Sequence, residues 1–112
     1  ITIKADVFDS YKKRPDFIQA YVFPGGMLPT AGHLDELGRA VSLKISNEIA
    51  FSQDYAKTLA IWRERFWVAW EKVKTRGFDE RFKRLWDFYL YYCEAGLRSE
   101  YIEVRQVTYV KS

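Results

Sequence analysis

The chain has 112 residues, enough for one small domain with a modest core and too few for two. An apolar share of 48% excludes a disordered tail, while 18 basic and 15 acidic residues, interleaved along the chain, give a net charge of +3 that solvates helix faces more than it builds a strong field. A single cysteine, Cys93, excludes an internal disulfide, no apolar run is long enough to span a bilayer, and no secretory leader is apparent, so the expected compartment is the cytoplasm.

Taken in chain order, Ile1, Ile3 and Val7 alternate like the tail of a buried strand. A chain that opens this way, on Ile1 rather than methionine, is expected to be a piece of a longer gene product. From Asp6 to Tyr21, the positions of Phe8, Tyr11, Phe17, Ile18 and Tyr21 predict short helical pieces interrupted at Arg14-Pro15, because the residue before proline is steered out of the helical region. Phe23-Pro24-Gly25-Gly26 predicts a turn, with proline fixing its own φ and the glycines accepting angles that other residues resist. A short polar helix is expected from His33 to Ala40, and a half-buried strand from Val41 to Ser46, where Val41, Leu43 and Ile45 alternate with polar residues.

Ser52 stands where a helix cap belongs, with Asp54 in the first turn, and Tyr55, Leu59, Trp62, Phe66, Trp70 and Val73 follow at helical spacing up to a stop at Gly77. Asp79 caps a second long helix carrying Phe82, Leu85, Trp86, Tyr89, Cys93 and Leu97, so the two should pack as an antiparallel pair. Ile102 to Val110 reads as a last strand whose alternation slips at Arg105-Gln106, the signature of a bulge or of burial on both faces.

Familiar catalytic patterns are missing. The Gly25-Gly26 pair lacks both the further glycine and the preceding strand of a dinucleotide fingerprint. One histidine, His33, and one cysteine make no zinc site, so no metal is expected, and no Ser/His/Asp set presents itself. Glu64, Glu71, Asp79 and Glu80 read as surface carboxylates with cationic helix neighbours, Glu80 with Arg84 for example; Glu48, following a strand, has no obvious place. Cys93 lies on an apolar helix face with no basic neighbour and reads as an inert buried thiol. Tyr55 reads as a core residue at a helix start.

Four ordered blocks, "YVFPGGMLP", "FSQDYAKTLAIWRERF", "ERFKRLWDFYLYYCEAGLR" and "IEVRQVTY", together resemble the C-terminal part of the cyclopropane-fatty-acyl-phospholipid synthases and the related mycolic acid cyclopropane synthases. The resemblance covers nearly the whole chain. It implies an α/β fold: residues 1–112 as the C-terminal part of one Rossmann-like class I methyltransferase domain, helix-rich, with a small sheet and a long helical hairpin. Ile1 to Ile3, Val41 to Ser46 and Ile102 to Val110 would be the fifth, sixth and seventh strands of the parent sheet, the last inserted antiparallel between the other two.

The same resemblance implies an S-adenosylmethionine-dependent methyltransferase acting on the cis double bond of an unsaturated acyl chain, with the main cofactor site outside this chain and this chain inactive alone. A carbocation forms in that chemistry, which asks for apolar and aromatic walls and gives the aromatic share of 18% a reason. Tyr55 matches the family tyrosine that bonds a catalytic bicarbonate, and Ile3 matches the residue whose backbone helps hold it. Ile1 stands where histidine is usual; that departure at the anion site implies methyl addition without ring closure as a second outcome. Phe23, Gly25, Gly26, Tyr89, Cys93 and Leu97 are implied to border the acyl pocket.

The implied partner is unsaturated phospholipid at the inner face of a membrane, without nucleic acid. A piece of such an enzyme should also self-associate through an exposed edge at Ile1 to Ile3 and through bare aromatic helix faces. Two alternatives change the substrate to a small molecule or free fatty acid, or the class to a basic helical nucleic-acid module using Lys72, Lys74, Arg76, Arg81, Lys83 and Arg84; a third makes the chain a purely structural or oligomerising piece.

Overall fold

Capping residues decide where the helices begin. In the computed structural model, which describes residues 1–112, β1 (Thr2–Ile3) runs through a single 3-10 turn (Ala5–Val7) into α1 (Phe8–Tyr11). Pro15 ends that segment, and α2 (Phe17–Tyr21) restarts behind a reciprocal cap in which Asp16 Oδ1 accepts from the Gln19 N–H at 2.9 Å while Gln19 Oε1 accepts from the Asp16 N–H at 3.0 Å. Thr30 and His33 form the same arrangement at the start of α3 (Ala31–Ala40), so the one histidine is a capping group.

β2 (Leu43–Ala50) starts two residues later and ends four later than its alternation predicts, because Ser42 turns the chain with φ 60° and the register with the last strand continues to Ala50. Phe51, not Ser52, is the boundary residue of α4 (Ser52–Lys74); the Ser52 hydroxyl instead accepts the Val104 N–H at 3.0 Å. Gly77, with φ 94°, makes the turn to α5 (Glu80–Arg98), which Asp79 caps by accepting the Phe82 N–H at 2.9 Å.

The last strand is divided in two. β3 (Ile102–Glu103) pairs antiparallel with β1, and β4 (Arg105–Lys111) pairs antiparallel with β2, so the C-terminal segment lies between the other two strands as expected but as two two-stranded pieces. Val104 divides them because its N–H goes to Ser52 and its carbonyl accepts the Phe51 N–H at 3.1 Å. Arg105 and Gln106 pair regularly; the bulge is on the opposite strand, where Ser46 is the extra residue between Ile45 and Asn47. Glu48 also finds its place there, paired across the sheet with Arg105, which bonds Glu103 and Thr2 Oγ1 as well.

In the stretch Ile1 to Ile3, Ile1 is half exposed while Thr2 and Ile3 are buried, and the Ile3 N–H donates to the Pro29 carbonyl at 2.9 Å. α4 and α5 run antiparallel, with Gln53 reaching the Leu97 carbonyl at one end and Trp70 Nε1 donating to Glu80 at the other. Glu80 is thus a tryptophan acceptor and makes no ion pair with Arg84. The core between the helices is Ala56, Leu59, Leu90 and Leu97.

Much of the aromatic excess fills this seam, as a ladder of Phe78, Phe82, Trp86 and Tyr89 with Phe66 and Trp70 opposite. The hairpin projects: the radius of gyration is 16.9 Å, against about 13 Å for a compact chain of this length. No helix is long and apolar enough to cross a membrane.

Candidate functional site

Two adjoining clefts lie between the α1–α2 region and one face of α5. The first, about 200 Å³, is bordered by Ile1, Phe23, Gly26, Met27, Tyr89 and Cys93. The second, about 340 Å³, is bordered by Ile3, Tyr92, Gly96 and Tyr101; Tyr11, Asp16, Ile18, Leu28 and Ile102 belong to both.

The turn builds one wall. Gly25 takes φ 81°, the Gly26 N–H donates to the Phe23 carbonyl at 3.0 Å, and Gln19 Nε2 ties the Gly26 carbonyl to α2 at 2.7 Å. Phe23 thereby stands edge-on to the Tyr89 ring, centroids 6.2 Å apart. After the turn, the Leu28 N–H donates to the buried Tyr11 hydroxyl at 2.8 Å, fixing the segment that leads to Pro29.

The opposite wall is the face of α5 that presents Tyr89, Tyr92, Cys93 and Gly96, spaced i, i+3, i+4 and i+7. Gly96 leaves room for Ile102, which a Cβ there would approach to 3.1 Å. The Tyr92 hydroxyl donates to Asp16 Oδ2 at 3.5 Å. Burial raises the hydroxyl pKa of Tyr11, Tyr89 and Tyr92, with Cys93 adding to the shift at Tyr89 and Asp16 to that at Tyr92.

Burial also pushes the Cys93 thiol from 9.0 to about 11, partly offset by the Tyr89 hydroxyl, so Cys93 is neither a thiolate nor a nucleophile near neutrality. A folded-state pKa above the unfolded one means that the stabilising contribution is complete below pH 9 and is lost as the pH rises through 11. Native protein at pH 8 is expected to resist iodoacetamide while urea-unfolded protein reacts. Replacing Cys93 with alanine should flatten the fall in stability between pH 9 and 11; an unchanged slope would place that titration elsewhere.

The structure brings Phe23, Gly26, Tyr89 and Cys93 together on one cleft and puts Ile3 on its neighbour. Gly25 faces a different groove. Leu97 has no exposed surface and belongs to the core between α4 and α5, so it borders neither cleft. Tyr55 packs on the same core, edge-on to Trp62 at 6.1 Å, close enough to Tyr89 to raise its pKa but off the cleft lining. Tyr11, Asp16 and Tyr92 were not singled out from sequence; Tyr92 and Gly96 could have been, since they share a helix face with Tyr89 and Cys93.

These elements form part of the class I methyltransferase fold. Over 98% of its length the chain superposes on 41% of the cyclopropane synthase MmaA2 from Mycobacterium tuberculosis, with a TM-score of 0.85 and 24% identity. It superposes over 93% of its length on 35% of the mycolic acid cyclopropane synthase CmaA1 complexed with SAH and CTAB, with a TM-score of 0.79 and 27% identity. The sequence model of the mycolic acid cyclopropane synthetase family matches residues 1–107, and the chain belongs to that family.

Among curated relatives, it is 44% identical over 96 residues to tuberculostearic acid methyltransferase UfaA1 of Mycobacterium tuberculosis, a match over 85% of this chain and 22% of that protein. It is 32% identical over 93 residues to the cyclopropane-fatty-acyl-phospholipid synthase of Escherichia coli K12, covering 83% of this chain and 24% of that one. The chain therefore spans about a quarter of the length of these relatives.

Proposed function

We propose that this chain forms one wall of the acyl pocket of an S-adenosylmethionine-dependent methyltransferase. The enzyme would add one carbon at the cis double bond of an unsaturated phospholipid acyl chain, at a membrane surface, and the resulting cation would lose a proton to a base to give a methylene-branched or methyl-branched unsaturated product. The pair of adjoining apolar clefts carries this reading. Their lining is mostly aliphatic and aromatic, with Gln19 and Ser99 among its polar residues, and its one carboxylate, Asp16, is bonded to the Gln19 N–H and the Tyr92 hydroxyl. Such walls suit an alkyl chain, and the crossed rings of Phe23 and Tyr89 present aromatic surface to a cationic carbon.

The residues present do not by themselves fit S-adenosylmethionine, since the clefts offer no free carboxylate to its amine or ribose. We assign that cofactor to the part of the relatives that this chain does not span. Nor do they fit a bicarbonate. Ile1 has no polar side-chain atom, the Ile3 N–H is taken by Pro29, and Tyr55 does not share their cleft. Without that anion to take the methyl proton in ring closure, we favour a 1,2-hydride shift followed by proton loss to another base, which gives a branched product. A nucleic-acid interface is less well supported, because Lys83 lies over the Trp67 and Trp70 rings and Lys74 pairs with Glu71.

Full-length protein incubated with methyl-labelled S-adenosylmethionine and dioleoyl phosphatidylglycerol vesicles should transfer label to the acyl chains, with proton NMR showing branched methyl or methylene signals. High-field ring protons would overturn the product assignment. Transfer to a soluble small molecule, indifferent to vesicles, would overturn the substrate.

A further inference from the structure

We propose that a second groove, beside the Phe23–Gly26 turn, holds the phosphate of the phospholipid whose acyl chain lies in the apolar clefts. This proposal rests on the acyl-chain reading above. The groove, about 380 Å³, has Lys12, Lys13 and Arg14 on one side and Gly25 and Gly26 on the other, and no acidic residue borders it. Lys12 is partly committed, paired with Asp9 at 2.9 Å and lying over the Phe8 ring. Lys13 and Arg14 are exposed and make no ion pair. Asp16, the next carboxylate along the chain, borders the apolar clefts rather than this groove.

Local sequence holds the cations out. α1 ends at Tyr11, and Pro15 prevents Arg14 from continuing a helix, so Lys12 to Arg14 form a turn projecting from the α1–α2 junction. Across from them, a Cβ on Gly25 would meet nothing within 4 Å, which leaves open space for a bulky anion. Tyr11, Gln19, Gly26 and Met27 border both this groove and the first apolar cleft, so the two spaces adjoin across these residues. A cationic groove beside an apolar cleft matches an amphiphile with an anionic head. Free phosphate would leave the apolar half empty, and a neutral lipid would leave the cations unused.

The test uses full-length protein with oleyl phosphate and oleyl alcohol, each presented at equal mole fraction in uncharged maltoside micelles. Wild-type protein should bind oleyl phosphate about thirtyfold more tightly, the factor for two cations at a lipid surface. The variant Lys13→Gln/Arg14→Gln should lose that preference and keep its affinity for oleyl alcohol, whereas Arg14→Lys should retain most of it. Both positions are exposed, and circular dichroism will verify that the variants fold. Equal wild-type affinity for the two probes, or an undiminished preference in the double variant, would overturn the phosphate site alone. Binding of neither would overturn the acyl-chain reading beneath it. Inorganic phosphate that bound as tightly as oleyl phosphate would show a free-anion site and refute a lipid headgroup.

Discussion

Leu97→Ala is expected to lower the unfolding free energy by about 2–5 kcal/mol, the range for removing a fully buried leucine side chain. Leu97 is the largest side chain with essentially no exposure, in a cluster with Ala56, Leu59 and Leu90 against which seven partly buried hydrophobic residues pack. Only 11 of the 112 residues are buried, so one leucine is a large share of the core. A small domain has about 5–15 kcal/mol in total, so the loss is a large fraction of it. Urea unfolding should show a lower midpoint at unchanged m-value, while Val68→Ala, at a site 88% exposed on α4, should stay within about 0.5 kcal/mol of wild type. Equal effects at the two positions would mean that the α4–α5 seam is not the core.

Gly38→Val should cost about 3 kcal/mol, the upper end for forcing extra atoms into a filled contact. A Cβ at Gly38 would come within 2.7 Å of Tyr109 Cε1 and 3.2 Å of the Leu43 carbonyl. The tyrosine cannot simply swing aside without breaking the bond its hydroxyl donates to the Leu34 carbonyl at 2.9 Å, which clips α3 to β4. Gly32 is the internal control. It lies in the same helix, and its nearest neighbour to a new Cβ is Thr30 Oγ1 at 3.7 Å, so Gly32→Ala should be neutral or stabilising by up to about 1 kcal/mol. A thermal melt in which both variants behaved alike would show that α3 does not dock closely on the sheet.

Helical spacing made the two long helices and their hairpin legible, because one apolar stripe and two stop signals define such a pair without tertiary context. Asp79 and Pro15 acted as their chemistry dictates. Ser52 did not: it is the first residue inside the helix, and its hydroxyl is claimed by the Val104 N–H, a partner 52 residues away that no local rule supplies. The same contact divides the last strand, so the break read as a bulge at Arg105-Gln106 was a real irregularity assigned to the wrong cause. The part of the candidate site that was legible is Phe23, Gly26, Tyr89 and Cys93, which lie in compact motifs. Leu97 went astray because periodicity marks an apolar helix face but does not say which part of it another helix covers. Asp16 and Tyr92 meet across 76 residues, a separation at which sequence spacing carries no information.

The divided last strand also bears on how the chain reaches its final form. Its first half closes on Thr2 and Ile3, and its second half closes on β2, so neither sheet can form until the final residues are available. Pairings at such separations carry a large loop-closure cost and slow the search relative to helix formation. During synthesis, the α4–α5 hairpin can assemble while its strands wait, with Ile45, Ile49 and the β1 backbone unpaired until residues 102–111 have been made. That interval, rather than the finished structure, is when this chain is most exposed to aggregation and most dependent on chaperones.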